Sequence, residues 1–250
     1  MTSTIISQIE LSQEDCMNKV SAETRQAIQT GVRKKAVYVV LLTLALFLPA
    51  ATLQWWQAWA LIGLSVMGVA FELLVLLPHD PGLFAQRSAV QEGTKQWDTI
   101  LTVLSVLVFY AVALVIAGLD FRFGWTPPFA LWRHILGMVL FLISSTIIYW
   151  AMMANTFFTA TVRIRTERAH QVCDRGPYAI VRYPGYAGGL LTYIALPLIL
   201  GSWWAAIPAA LSIIGFILRT YLEDQTLKQE LIGYQAYTQK VKYRLLPGIF

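Results

Sequence analysis

"HILGMVLFLISSTIIYWAMMA", residues 134 to 154, runs for 21 positions without a formal charge. A helix needs roughly 20 such residues to cross the ~30 Å hydrocarbon core of a bilayer. Working outward, Ala36 to Leu53, Trp55 to Pro78 and Thr99 to Leu119 reach a comparable length. Two shorter runs, Tyr186 to Leu200 and Trp203 to Leu218, are separated by Gly201 and Ser202 and contain Pro197 and Pro208. At ~1.5 Å rise per residue they make a tight hairpin that either just spans or stops short. Hydrophobic residues are 57% of the 250 and charged residues 13%, too apolar for a soluble domain of this size. The expected fold is all-α: a polytopic integral membrane bundle of five to six transmembrane helices with a C-terminal amphipathic cytosolic helix.

Orientation follows from Lys and Arg, which cytoplasmic loops retain. Lys19, Arg25, Arg33, Lys34 and Lys35 precede the first run, and Arg87 and Lys95 lie between the second and third. Arg163, Arg165, Arg168, Arg175 and Arg182 precede the hairpin; Arg219, Lys228, Lys240, Lys242 and Arg244 follow it. Only Arg122 and Arg133 are left for the other side, so both termini are expected in the cytoplasm. The net charge of +5 then has a membrane explanation, and a nucleic-acid partner is not expected. Residues 1–35 read as a polar cytoplasmic tail, a surface helix or a mobile segment, without the short apolar core of a secretory signal. Cys16 and Cys173 lack metal-type spacing, and neither a metal site nor a disulfide is expected. Trp55, Trp56, Trp203 and Trp204 read as anchors at the far interface. Glu72, inside the second run, reads as a carboxylate snorkelling to the surface. The hydroxyls at 144 to 146 read as helix packing, and Asn155 either faces a pocket or caps carbonyls.

The unusual chemistry follows the fourth run. "DRGPYAIVRYPGYAGG", residues 174 to 189, places prolines and glycines just where the chain re-enters the membrane, so the backbone turns there and other groups can approach it closely. Downstream, "RTYLEDQTLKQELIGYQAYTQKVKYRLLPG", residues 219 to 248, reads as one amphipathic helix. Leu227, Leu231, Tyr234, Tyr237 (or Ala236) and Val241 share its apolar face. A hairpin brings its two borders together, so Arg182, Tyr183 and Tyr186 are expected to meet Glu223 and Asp224. A helix start and an Arg fork suit a carboxylate, tyrosine faces suit a ring or a cation, and Glu223 suits an amine or a diol. S-adenosylmethionine carries each of these groups.

Residues 155 to 250 resemble the isoprenylcysteine carboxyl methyltransferase family, itself similar to the membrane phospholipid N-methyltransferases. The resemblance rests on "RTERAHQVCDRGPY", "VRYPGYAGG", "LEDQTLKQE" and "GYQAYTQKVKYRLLP" in that order, with "DPGLFAQRS" and "QWD" upstream matching bacterial and archaeal members. It implies a single membrane methyltransferase domain over 36–250, whose part at 155–250 holds S-adenosylmethionine at the cytoplasmic side. The cofactor set it implies is His170, Val172, Gly176, Tyr178, Arg182, Tyr183, Pro184, Tyr186, Glu223 and Asp224. A lipophilic or prenylated acceptor would arrive sideways from the bilayer lipids. Two positions depart from the pattern: Tyr183 stands where the family usually has His, and Asp224 where it usually has a second Glu. Tyrosine keeps a hydrogen-bonding tip without an imidazole that titrates near neutrality, and the shorter Asp224 makes Glu223 the better cofactor contact.

The sulfonium is an activated methyl donor, so alignment and exclusion of water can supply much of the catalysis. Arg163 and Arg165 are candidates to steer an acceptor carboxylate. Glu167 and His170 are candidates to free an amine acceptor of its proton, a task a carboxylate acceptor does not pose. Carboxyl methylation of an isoprenylated cysteine-like substrate is the leading expectation, with methylation of a phospholipid or other lipid amine next. An NADPH-dependent sterol-type reductase and a non-catalytic lipid-binding protein are the readings from other classes.

Overall fold

The computed structural model describes residues 2–79, 84, 95–155 and 172–249. Helix α1 (Thr2–Ala50) is a single rod, so the polar leader takes the helical of its two expected forms. Helix α2 (Trp56–Phe71) continues through a π-helical turn at Glu72–Leu76. Helix α3 (Gln96–Thr102), a π-helical stretch (Val103–Val108) and α4 (Phe109–Phe123) make one continuous rod. Then come α5 (Leu131–Ala154), a 3-10 turn (Gly176–Ala179), α6 (Pro184–Leu200), α7 (Ala206–Glu230) and the short α8 (Tyr234–Lys240). Among the described residues four helices are long and apolar enough to cross a membrane: Trp56–Leu76, Gln96–Phe123, Leu131–Ala154 and Ala206–Glu230. Helix α6 and the last third of α1 are apolar but shorter. The protein is a polytopic helical membrane bundle, as the uncharged runs predict.

The core lies where α1, α2, α4 and α6 meet, built from Leu46, Trp55, Leu61, Ala117, Leu196 and Ile199 among others. Outward-facing apolar side chains such as Leu48, Leu74, Leu107 and Ile214 stay exposed, as lipid-facing positions must. Trp55 departs from its expected anchoring role. It is fully buried and its ring stacks on Phe121 at 4.8 Å, while Trp56, Trp203 and Trp204 are about half exposed. Glu72 is buried as well, in an ion pair with Lys35, so a partner side chain neutralises the charge that snorkelling was expected to solvate.

Helices α5 and α6 pack most intimately, and Gly188 is the reason. A Cβ there would lie 2.7 Å from Ile148 Cγ1 and 3.0 Å from the Ser144 carbonyl. The close approach lets the Ser144 hydroxyl donate to the Gly188 carbonyl at 2.6 Å and meet Thr192 Oγ1 at 2.7 Å, the packing role expected of that hydroxyl cluster. The hairpin is asymmetric. With 17 residues α6 is about 25 Å long, whereas the 25 residues of α7 reach about 38 Å. The far end of α7, carrying Glu223 to Glu230, therefore extends beyond the start of α6. The single amphipathic helix expected here is broken: α7 ends at Glu230, and Gly233 takes left-handed backbone at φ +84° before α8 begins. Leu231, Tyr234, Tyr237 and Val241 still converge in one cluster with Leu227 and Val172.

Candidate functional site

Each strand of the site is set by local backbone. Gly176, in left-handed backbone, opens the 3-10 turn that buries Pro177 and Tyr178. Beyond that turn the Arg182 and Tyr183 amides donate to the carbonyls of Tyr243 and Arg244 at 3.0 and 2.9 Å. This short ladder straps the C-terminal segment across the start of α6. Pro184, buried at the first turn of α6, has no N–H to leave unsatisfied there. Tyr178 is fixed by its carbonyl, which accepts the Tyr237 hydroxyl at 2.7 Å. Val172 packs on the α8 cluster.

The hairpin borders meet as its geometry requires. Asp224 is fully buried and accepts from Arg182 Nε at 2.9 Å and Nη2 at 3.3 Å, from Arg244 Nε at 3.0 Å and from the Tyr234 hydroxyl at 3.0 Å. Lys228 Nζ adds an ion pair at 2.9 Å. Arg182 Nη1 donates to the carbonyls of Val241 and Lys242 at 2.7 and 2.8 Å. Four of the five guanidinium N–H groups of Arg182 are thus committed to the protein. Arg182 and Asp224, expected at the cofactor site, are bonded to each other and to the C-terminal segment. Tyr183 sits in the same network, its hydroxyl 3.0 Å from that of Tyr234. Burial, then the nearby Glu223, push the Tyr183 hydroxyl well above the ordinary tyrosine range. It is a neutral hydrogen-bonding group near pH 7 and cannot serve as a base there.

Glu223 is the residue that stays open. It is half-buried, and its Oε2 accepts the Tyr186 hydroxyl at 2.6 Å. Among the described residues its Oε1 accepts nothing, although it is not sealed from the surroundings. The Tyr183 and Tyr186 rings stack at 5.6 Å, and Phe216 meets Tyr186 edge-on at 5.6 Å. The Arg219 guanidinium lies 5.0 Å over the Tyr186 ring and donates Nε to Asp98 Oδ1 at 2.6 Å. Asp98 is fully buried and Arg219 is 4% exposed. Sequence reasoning missed this pair. Arg219 precedes Glu223 by one helical turn, and Asp98 is a lone acid opening an apolar run, two signals that could have pointed to it. Arg163, Arg165, Glu167 and His170 lie outside the described residues.

The family described as Phospholipid methyltransferase matches residues 132–231, the span from α5 to the end of α7. "Protein-S-isoprenylcysteine O-methyltransferase B" of Arabidopsis thaliana is 32% identical over 141 residues, covering 55% of this chain and 68% of that protein. Two proteins named "Probable protein-S-isoprenylcysteine O-methyltransferase", from the indica and japonica subspecies of Oryza sativa, are each 27% identical over 108 residues. Those matches cover 42% of this chain and 56% of each rice protein. The chain belongs to the isoprenylcysteine O-methyltransferase family. Membership makes it a methyltransferase of lipid-related substrates, in keeping with its multi-pass membrane architecture. The Phospholipid methyltransferase match ends at Leu231, so it takes in Tyr178, Arg182, Tyr186, Arg219, Glu223 and Asp224, but not Tyr234, Tyr237 and Arg244. In this isoprenylcysteine O-methyltransferase relative, residues beyond that match complete the Asp224 network.

Proposed function

We propose that this chain transfers a methyl group from S-adenosylmethionine to a lipophilic acceptor, most favourably the carboxylate of an isoprenylated cysteine-like molecule. One observation carries the reading: Glu223 holds one oxygen against Tyr186 and, among the described residues, the other accepts no hydrogen bond, beside two stacked tyrosine rings. That donor-poor carboxylate suits an amine or a ribose diol, and the ring faces suit a cation or a purine. When bound, S-adenosylmethionine supplies an already activated methyl group.

The chain's own residues then have limited tasks. Glu223 anchors, the Tyr183 and Tyr186 rings orient, and the strap of Tyr243 and Arg244 over α6 keeps water from one side. Arg182 and Asp224 hold both borders at a fixed separation. Arg163 and Arg165 steer an anionic acceptor. A carboxylate needs no proton removed, which fits a neutral tyrosine at position 183. The distribution of Lys and Arg supports a closure on the cytoplasmic side with both termini cytoplasmic. Methylation of a lipid amine is the second reading, favoured by the Phospholipid methyltransferase match, with Glu167 or His170 taking the proton.

Calorimetry with S-adenosylhomocysteine in detergent tests cofactor binding. Saturable heat that weakens at least tenfold in Glu223→Ala supports the reading, and no heat from well-folded protein overturns it. The acceptor is decided by incubating the protein with labelled cofactor and membrane extract. Label released by mild base marks a methyl ester, and label that resists base marks an N-methyl group.

A further inference from the structure

At the end of the bundle opposite Glu223, where α6 turns into α7, lies a cavity of about 350 Å³ lined by Asp120, Phe121, Trp125, Phe129, His134 and Gly201 among others. Asp120 is 3% exposed and belongs to the last turn of α4, the negative end of the helix dipole, where a carboxylate is least welcome. Oδ1 accepts the Thr126 amide at 2.7 Å, and Oδ2 accepts the hydroxyls of Thr126 at 2.6 Å and Ser202 at 2.5 Å. All three donors are neutral. Among the described residues Asp120 has no ion pair. The two cations of this end are turned to ring faces instead, Arg122 over Phe123 at 5.3 Å and Arg133 over Phe129 and Trp132 at 5.1 and 5.5 Å. Among the other described residues every buried carboxylate has a cationic partner: Asp98 has Arg219, Asp224 has Arg182, and Glu72 has Lys35. A buried charge without a counter-charge is costly, and Asp120 is the exception.

The cavity wall says which counter-charge fits. Aromatic and proline faces share the wall with the neutral groups of Gln57 and Thr126, with His134, and with one carboxylate, a mixture that recognises an organic ammonium rather than a bare metal ion. No cluster of three or more His, Cys, Asp or Glu able to hold a metal occurs among the described residues. We propose that this cavity binds a small alkylammonium group, seated between the Asp120 carboxylate and the rings of Phe121 and Trp125. The same chemistry is offered by a free ammonium compound and by the headgroup of a zwitterionic lipid, and the site stands independently of the methyl-transfer reading.

Titration of the protein in dodecyl maltoside with tetramethylammonium chloride, against sodium chloride at equal ionic strength, tests the site by tryptophan fluorescence and calorimetry. The expected result is saturable binding, at least tenfold weaker in Asp120→Asn and in Trp125→Leu. Trp125→Leu leaves the three hydrogen bonds to Asp120 in place, so it decides the matter if Asp120→Asn fails to fold. Native mass spectrometry from mixed phosphatidylcholine and phosphatidylglycerol nanodiscs separates the sources. Retained choline lipid that tetramethylammonium displaces assigns a headgroup; binding of the free ion without retained lipid assigns a soluble ligand. Absence of saturable binding in folded wild-type protein overturns the proposal, as does equal competition by sodium or unchanged binding in both variants.

Discussion

At the scale of single residues the site divides into groups that close the fold and groups left to meet a ligand. Tyr186 belongs to both, since its hydroxyl holds Glu223 while its ring lies between Tyr183 and Arg219. Tyr186→Phe keeps the ring and deletes one hydrogen bond, a loss of about 0.5–1.5 kcal/mol. Cofactor affinity should fall about two- to tenfold while the unfolding temperature drops by only a few degrees, which calorimetry and a thermal scan check together. Asp224→Ala is a different experiment. It strands Arg182 in the interior without its carboxylate, and breaking such a buried pair costs about 3–5 kcal/mol. Detergent-purified Asp224→Ala should lose its cooperative unfolding transition, or lower it sharply, before any question of activity arises. The meeting of Arg182 with the acidic pair was readable because an apolar hairpin leaves its ends no other place. That Arg182 is spent on Asp224 was not, because the carbonyls of Val241 and Lys242 that share its guanidinium lie about 60 residues downstream with no pattern linking them.

At the scale of elements, hydropathy located the helices well because burial in lipid imposes a length that few other structures demand. It located breaks less well. A hydrophobic face continued at helical spacing from Leu227 to Val241, yet Gly233 ended one helix and began another. Pattern records which side chains share a core, and a left-handed glycine can interrupt the rod without disturbing that set. Trp55 misled for a related reason: a tryptophan beside a membrane border suits both an interfacial belt and a packed core. The α5–α6 contact makes the sharpest prediction at this scale. Gly188→Val should push Ile148 and the Ser144 carbonyl away, an overpacking cost of about 1–3 kcal/mol or more. A lower unfolding temperature, with Gly189→Ala as a milder control facing Phe216, is the measurement that checks it.

Over the whole molecule, several long-range ties fix the late helices, and two of them bear on the site. The Asp98–Arg219 pair joins α3 to α7 across 121 positions of sequence, and the strap over α6 joins the C-terminal segment to the approach of the hairpin. The strap region also carries a pH signature. Burial raises the hydroxyls of Tyr178, Tyr183, Tyr234 and Tyr237 well above the ordinary tyrosine value. The folded state therefore keeps these phenols neutral, while the unfolded chain ionises them near about pH 10. The stability they contribute is fully present below that pH and is lost as pH climbs beyond it. Limited proteolysis should show cleavage near α8 accelerating above about pH 10 and unchanged between about pH 7 and 9, and Tyr237→Phe should blunt the rise.

The unequal arms of the hairpin decide what flanks its shorter member. A 17-residue α6 falls short of the ~30 Å hydrocarbon slab by about 5 Å. Most of α6 is walled by other helices, with Leu190, Tyr193, Leu196 and Ile199 buried, so protein rather than lipid flanks the short arm, and the room left at its start, beside Tyr186, is bordered by the overhang of α7.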